Sequence, residues 1–159
     1  MPKQLGYTCE DTKEIIQGYW MAARIINRSE AFWLHSVYLP PGFTQERFRP
    51  VSAFLRDHVG QPHFVLGDYN MEKHSKPDLW LTQELVALGL REAAPPTGTK
   101  SFSIKGTPKS LIDRVWHTQL SHSATTKVSM VPFTNLLTSH AMLDFEARPS
   151  IKLDTESRK

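Results

Sequence analysis

Three apolar runs constrain the fold most, because each carries hydrogen-bonding side chains at its end or in its interior. They read Phe32-Trp33-Leu34-His35-Ser36-Val37-Tyr38-Leu39-Pro40-Pro41, Phe64-Val65-Leu66-Gly67-Asp68-Tyr69-Asn70 and Leu111-Ile112-Asp113-Arg114-Val115-Trp116. Short runs bounded by turn residues suit buried strands, and two prolines stop the first because they cannot continue a hydrogen-bonded ladder. If the strand ends lie together, Tyr38, Asp68, Asn70 and Asp113 converge in one cleft. While the backbone stays extended, Asp68 and Asn70 point to the same side. Gly67 leaves room for a ligand to approach the backbone. A carboxylate beside an amide can hold a water, one attracting its proton and the other orienting it.

Each feature also has a purely structural reading. Gly-Asp-x-Asn after a strand is a common turn, and the tetrapeptide taken alone favours that turn. An ionised Asp113 among Leu, Ile and Val needs a partner, either Arg114 or one of seven histidines. A structural salt bridge suits it as well as a catalytic role does. Trp20, Trp33, Trp80 and Trp116 read as core rather than as stacking platforms. His58, His63, His74 and His122 adjoin loops and read as surface residues.

Around these runs the pattern is mixed. Strands are expected at Tyr19–Ile26 and Ala31–Tyr38, joined by a short turn through Asn27-Arg28-Ser29-Glu30. Phe48, Val51, Leu55 and Val59 recur at helical spacing, with Pro50 tolerated in the first turn. Leu81, Leu85 and Leu88 mark a second helix, with Asp78 as its N-cap and Gly89 just past its end. Further strands are expected at Ser101–Lys105, Leu111–His117, Thr126–Val131 and Ala141–Arg148. The sum is an α+β domain with much antiparallel pairing. Residues 1–16 are expected to be loosely held, 17–149 to form the domain and 150–159 to be a polar tail.

Of the 159 residues, 40% are hydrophobic and 22% charged, which suits one packed domain and not a disordered chain. No apolar run reaches the roughly 18 residues that cross a bilayer. The start lacks the basic-then-apolar pattern of a secretory signal. A soluble intracellular address, nucleus or cytoplasm, is therefore expected, with no membrane partner. The lone Cys9 permits no internal disulfide and no thiolate cluster. Lys plus Arg is 19 against 16 for Asp plus Glu, and the net charge of +3 permits a phosphate-bearing partner without demanding one.

Taken in order, Tyr38-Leu39-Pro40-Pro41-Gly42, Gly67-Asp68-Tyr69-Asn70, Leu111-Ile112-Asp113-Arg114-Val115 and Ser139-His140 resemble the motifs of the endonuclease/exonuclease/phosphatase superfamily. The spacing resembles that of non-LTR retrotransposon endonuclease domains and abasic-site repair endonucleases, from about Gln17 to Arg148. The resemblance implies a four-layer α/β sandwich, two mostly antiparallel sheets flanked by helices. It also implies magnesium-dependent phosphodiester hydrolysis, with nucleic acid, DNA foremost, as partner. By position, Tyr38 would contact the scissile phosphate, Asp68 would activate the attacking water and Asn70 would orient water and phosphate. Asp113 would position His140, whose imidazole would stabilise charge on the phosphoryl oxygens. In-line attack on a phosphodiester needs such a directed water and positive charge on the equatorial oxygens.

Two departures lower the expected activity. Where the family reads Ser-Asp-His, this chain reads Thr138-Ser139-His140, and a hydroxyl is a far weaker ligand than a carboxylate for a hard divalent ion. The family's early asparagine and its Gln-Glu pair, whose glutamate holds the metal, have no counterpart before Gly18. The expected architecture is thus a partial sandwich lacking its first strands, with weak or absent hydrolysis. The rival expectation is a non-catalytic remnant that binds nucleic acid or, through an open sheet face, a protein partner or a second copy of itself.

Overall fold

The computed structural model describes residues 6–28, 30–93 and 112–118 with their side chains, and the backbone of strands within 102–104, 107–110, 125–131 and 142–148. Strands β2 (Trp20–Ile26) and β3 (Ala31–Tyr38) form the expected antiparallel hairpin. Its turn lacks Asn-Gly but is closed by Asn27, whose N–H donates to the Glu30 carbonyl (2.9 Å) and whose Oδ1 accepts from the Glu30 N–H (2.8 Å). Thr8–Ile16, expected to be loosely held, is instead edge strand β1, paired antiparallel with β2. Its side chains from Thr8 to Glu14 are exposed, so backbone hydrogen bonds hold it without any apolar alternation in the sequence.

A 3-10 turn, Glu46–Phe48, leads into α1 (Arg49–Asp57), which carries Pro50 in its first turn and buries Val51, Ser52 and Leu55. Strand β4 (His63–Asp68) then pairs parallel with β3. Helix α2 spans Lys76–Ala87. Its N-cap is Ser75 and not Asp78: Ser75 Oγ accepts from the Asp78 N–H (3.4 Å). Asp78 sits one turn inside, where its carboxylate accepts from the His74 N–H (2.7 Å), so both residues serve the exposed N–H groups of the helix start. Strand β5 (Leu90–Glu92) follows Gly89. A short hairpin, β6 (Phe102–Ile104) with β7 (Thr107–Ser110), comes next; Pro108 hides β7 from a propensity reading. Strand β8 (Asp113–Thr118) joins the main sheet, and β9 (Thr125–Val131) pairs antiparallel with β10 (Met142–Arg148). The main sheet runs β1-β2-β3-β4-β8-β5, antiparallel except at β3–β4. The architecture is α+β, as expected.

Register divides the main sheet into two faces. Trp20, Val37, Val65, Leu90 and Trp116 share one core with Val51 and Leu55 of α1 and Leu81 and Leu85 of α2. The expectation that the tryptophans are core holds for Trp20, Trp33 and Trp116, which are buried, and for Trp80, which packs against the same core. The opposite face is uneven. Phe64, Val115 and Ala93 are buried there, whereas Met21 and Leu34 on β2 and β3 remain exposed.

Two polar groups inside the helical face correct the sequence reading. Arg114 is not the partner of Asp113. Neighbours on a strand point to opposite faces, and the Arg114 guanidinium makes a bidentate pair with Glu92 (2.7 Å for each bond) and a third contact with buried Asp78. His63, expected at the surface, is 1% exposed. It ends a buried chain in which Trp20 Nε1 donates to His35 Nδ1 (3.0 Å), His35 Nε2 meets His63 Nδ1 (2.9 Å), and His63 Nε2 meets the His58 carbonyl (3.1 Å). An indole can only donate and a carbonyl can only accept, so both imidazoles are neutral Nε2–H tautomers.

Candidate functional site

Tyr38, Asp68 and Asp113 stand in register across three adjacent strands. Tyr38 is the Cα partner of Asp68 in the parallel β3–β4 pair, and Asp68 is the Cα partner of Asp113 in the antiparallel β4–β8 pair. Paired residues share a face, so all three side chains leave the same side of the sheet, the side opposite α1 and α2. They sit at the carboxyl ends of β3 and β4, where the chain turns away and leaves room for a ligand. Tyr38 is exposed, and the two carboxylates are half-buried. Directly opposed side chains on neighbouring strands have Cβ atoms about 5 Å apart. Two carboxylates at that spacing favour a positive species between or beside them.

Asn70 joins the group by a turn rather than by strand alternation. Its φ is +47°, so the backbone leaves the extended region, and its N–H donates to Asp68 Oδ1 (2.9 Å). The turn favoured for Gly-Asp-x-Asn is therefore present, and it brings Asp68 and Asn70 together. The Asn70 amide donates through Nδ2 to the Leu39 carbonyl (2.7 Å), tying this loop to the end of β3. Between them Tyr69 points into the core, where its hydroxyl donates to the Val65 carbonyl (3.2 Å) and burial pushes its phenol pKa up. Main-chain bonds from Leu39 to Asp68 and from Tyr69 to Ile112 carry the register past the strand ends. These contacts hold the three motifs rigidly with respect to one another.

Gly67 has a packing reason that the sequence did not reveal. Its φ is +150°, and a Cβ there would lie 1.9 Å from the Val37 carbonyl oxygen. The glycine permits close approach of β4 to β3. Ser139 and His140 lie outside the described residues. Sequence reading missed the surroundings of Tyr38. Its ring stacks on Tyr19 across the hairpin (centroids 6.4 Å apart, planes at 11°), and the Arg47 guanidinium lies 5.3 Å from the Tyr19 centroid. The hairpin register, with Trp20 opposite Val37, was the signal that places Tyr19 beside Tyr38.

Among the described residues no group of three or more His, Cys, Asp or Glu side chains could hold a metal ion. Asp68 and Asp113 do fit the manner in which magnesium is commonly held, by one or two carboxylates with water and phosphate oxygens completing the octahedron. No described helix is long and apolar enough to cross a membrane.

No protein-family profile and no curated protein sequence matches the chain. Solved structures do. The chain is similar to the endonuclease domain of TRAS1, a telomere-specific non-LTR retrotransposon, at TM-score 0.67 and 16% identity, over 87% of this chain and 67% of that one. It is similar to the human Nocturnin catalytic domain with bound sulfate at TM-score 0.62 and 16% identity, over 91% and 61%. An endonuclease/exonuclease/phosphatase family protein from Leptotrichia buccalis matches at TM-score 0.57 and 13% identity, over 81% and 53%. At these identities the likeness is one of fold, and the chain spans between 53% and 67% of these neighbours. The likeness shows that the chain carries the fold of the endonuclease/exonuclease/phosphatase superfamily.

Proposed function

We propose that this domain binds a phosphodiester of nucleic acid, DNA foremost, at Tyr38, Asp68, Asn70 and Asp113, and hydrolyses it weakly or not at all. The in-register row of Tyr38, Asp68 and Asp113, with Asn70 turned onto Asp68, carries this reading. The TRAS1 neighbour is an endonuclease and the Nocturnin neighbour holds sulfate, which favours a phosphate-type ligand and an origin in a retroelement endonuclease. In this reading the Tyr38 hydroxyl donates to a phosphate oxygen, Asp68 takes a proton from the attacking water, and the Asn70 amide oxygen orients that water. Asp113 orients the imidazole of His140 toward the phosphoryl oxygens. A magnesium ion would supply Lewis-acid stabilisation of charge on the phosphate. With Ser139 in place of the family's carboxylate, it would fall to Asp68 and Asp113, already engaged with the water and the imidazole, to hold it. Impairment follows from Ser139, a neutral oxygen where the family motif has a carboxylate.

Plasmid nicking with magnesium or manganese, wild type beside Asp68→Ala, tests the reading together with a salt titration of DNA binding. We expect little cleavage that depends on Asp68, and affinity that falls steeply with added salt. Rapid cleavage abolished by Asp68→Ala overturns the impairment, and DNA binding that is absent or indifferent to salt overturns the phosphodiester site. A second reading, association with a protein or another copy of the chain, is favoured by exposed Met21 and Leu34 on one sheet face. Dimerisation lost in Leu34→Glu would support it.

A further inference from the structure

We infer that Tyr38, backed by Tyr19 and Arg47, is a stacking platform for an unpaired nucleobase beside the bound phosphate, so that the site selects single-stranded over fully paired nucleic acid. The inference rests on the phosphodiester reading above and deepens it. Tyr38 is 52% exposed although it ends a strand of the central sheet. A tyrosine acting only through its hydroxyl needs one accessible atom, whereas about half of this residue's surface is open, in register with Asp68. The ring is held rather than free. The Tyr38 N–H donates to the Tyr19 carbonyl (2.8 Å), and the two rings lie nearly parallel with centroids 6.4 Å apart, within the range of offset stacking. Behind them, exposed Arg47 spans Tyr19 (5.3 Å) and buried Phe43 (5.6 Å), so the aromatic row carries a positive end anchored on the core.

Aromatic rings flanked by positive charge are what a single strand uses, because every base has a π-face and every linkage a phosphate. Bases inside a duplex are already stacked on one another and present only their edges, so a duplex must fray before it can use such a surface. A phosphodiester without a base has nothing to place on the ring. The platform therefore separates nucleic acid from other phosphodiesters, and unpaired from paired strands.

The test compares two fluorescent probes in binding titrations without metal, a short oligothymidylate and an abasic deoxyribose-phosphate oligomer of equal length. Wild type should prefer the base-bearing probe by roughly tenfold and should lose it to unlabelled single strand before blunt duplex. Tyr38→Leu should abolish the preference, and Tyr38→Phe should keep it. Arg47→Gln should weaken both probes. Tyr38 is exposed, so Tyr38→Leu should leave the urea midpoint unchanged and confirm an intact fold. Equal binding of the two probes by wild type overturns the platform while leaving the phosphate site standing, as does a preference that survives Tyr38→Leu. Failure of wild type to bind either probe overturns both readings.

Discussion

The buried histidine chain predicts a stability loss in mild acid whose size follows from one residue. Burial, then the neighbouring His63 and His58, lowers the pKa of His35 from 6.5 to about 3. His63 is lowered as well, chiefly by burial. In the unfolded chain His35 takes up a proton as pH falls through about 6.5, while in the folded chain it stays neutral until about 3. Between those values the unfolded state binds more protons, so stability falls as pH falls. From pH 7 to pH 5 the difference for His35 alone is about 2 kcal/mol, at about 1.36 kcal/mol per pK unit. The structural reason is local. A proton on His35 Nδ1 would face the Trp20 N–H, and one on His63 Nδ1 would face the N–H of His35, so neither ring has a place for a second proton. Urea melts at both pH values should show a midpoint about 1 M lower at pH 5 for a slope near 2 kcal/mol/M. His35→Gln, which loses the Trp20 contact, should be less stable at pH 7 and should lose about 2 kcal/mol less than wild type on moving to pH 5. Identical pH dependence of the two proteins would refute the reasoning.

Three further outcomes follow from packing. Gly67→Ala places a Cβ 1.9 Å from the Val37 carbonyl oxygen and should cost about 3 kcal/mol or more, seen by circular dichroism as loss of cooperative unfolding; a normal melt would contradict the close approach of β3 and β4. Arg114→Met strands Asp78 and Glu92 without their cation and should cost about 3–5 kcal/mol, whereas replacing all three by apolar residues should recover much of it. Ser75→Ala removes the cap of α2 and should cost about 1 kcal/mol, measured by urea midpoint.

Apolar runs and their breakers were enough to mark most local elements, and the motifs at their ends nominated Tyr38, Asp68, Asn70 and Asp113. Apolar runs ending at Tyr38 and Asp68 gave β3 and β4, because short hydrophobic segments bounded by breakers have few other uses. Period and punctuation gave α1 and α2, although not the identity of the α2 cap, since Ser75 and Asp78 are both good acceptors within one turn. Edge strand β1 was invisible because its exposed side chains from Thr8 to Glu14 carry no pattern, and pairing with β2 together with the packing of Ile15 and Ile16 at its end holds it. Which side chains face one another emerged from the packed sheet. It set Tyr38, Asp68 and Asp113 in one row, sent Arg114 to Asp78 and Glu92 on the opposite face, drew His63 into the core and set Tyr19 beside Tyr38. The physical reason is that strand alternation fixes each side chain's face only relative to its own strand. Register between strands distant in sequence, fixed here by hydrogen bonding and by the glycine that lets β3 and β4 close together, converts separate motifs into a site.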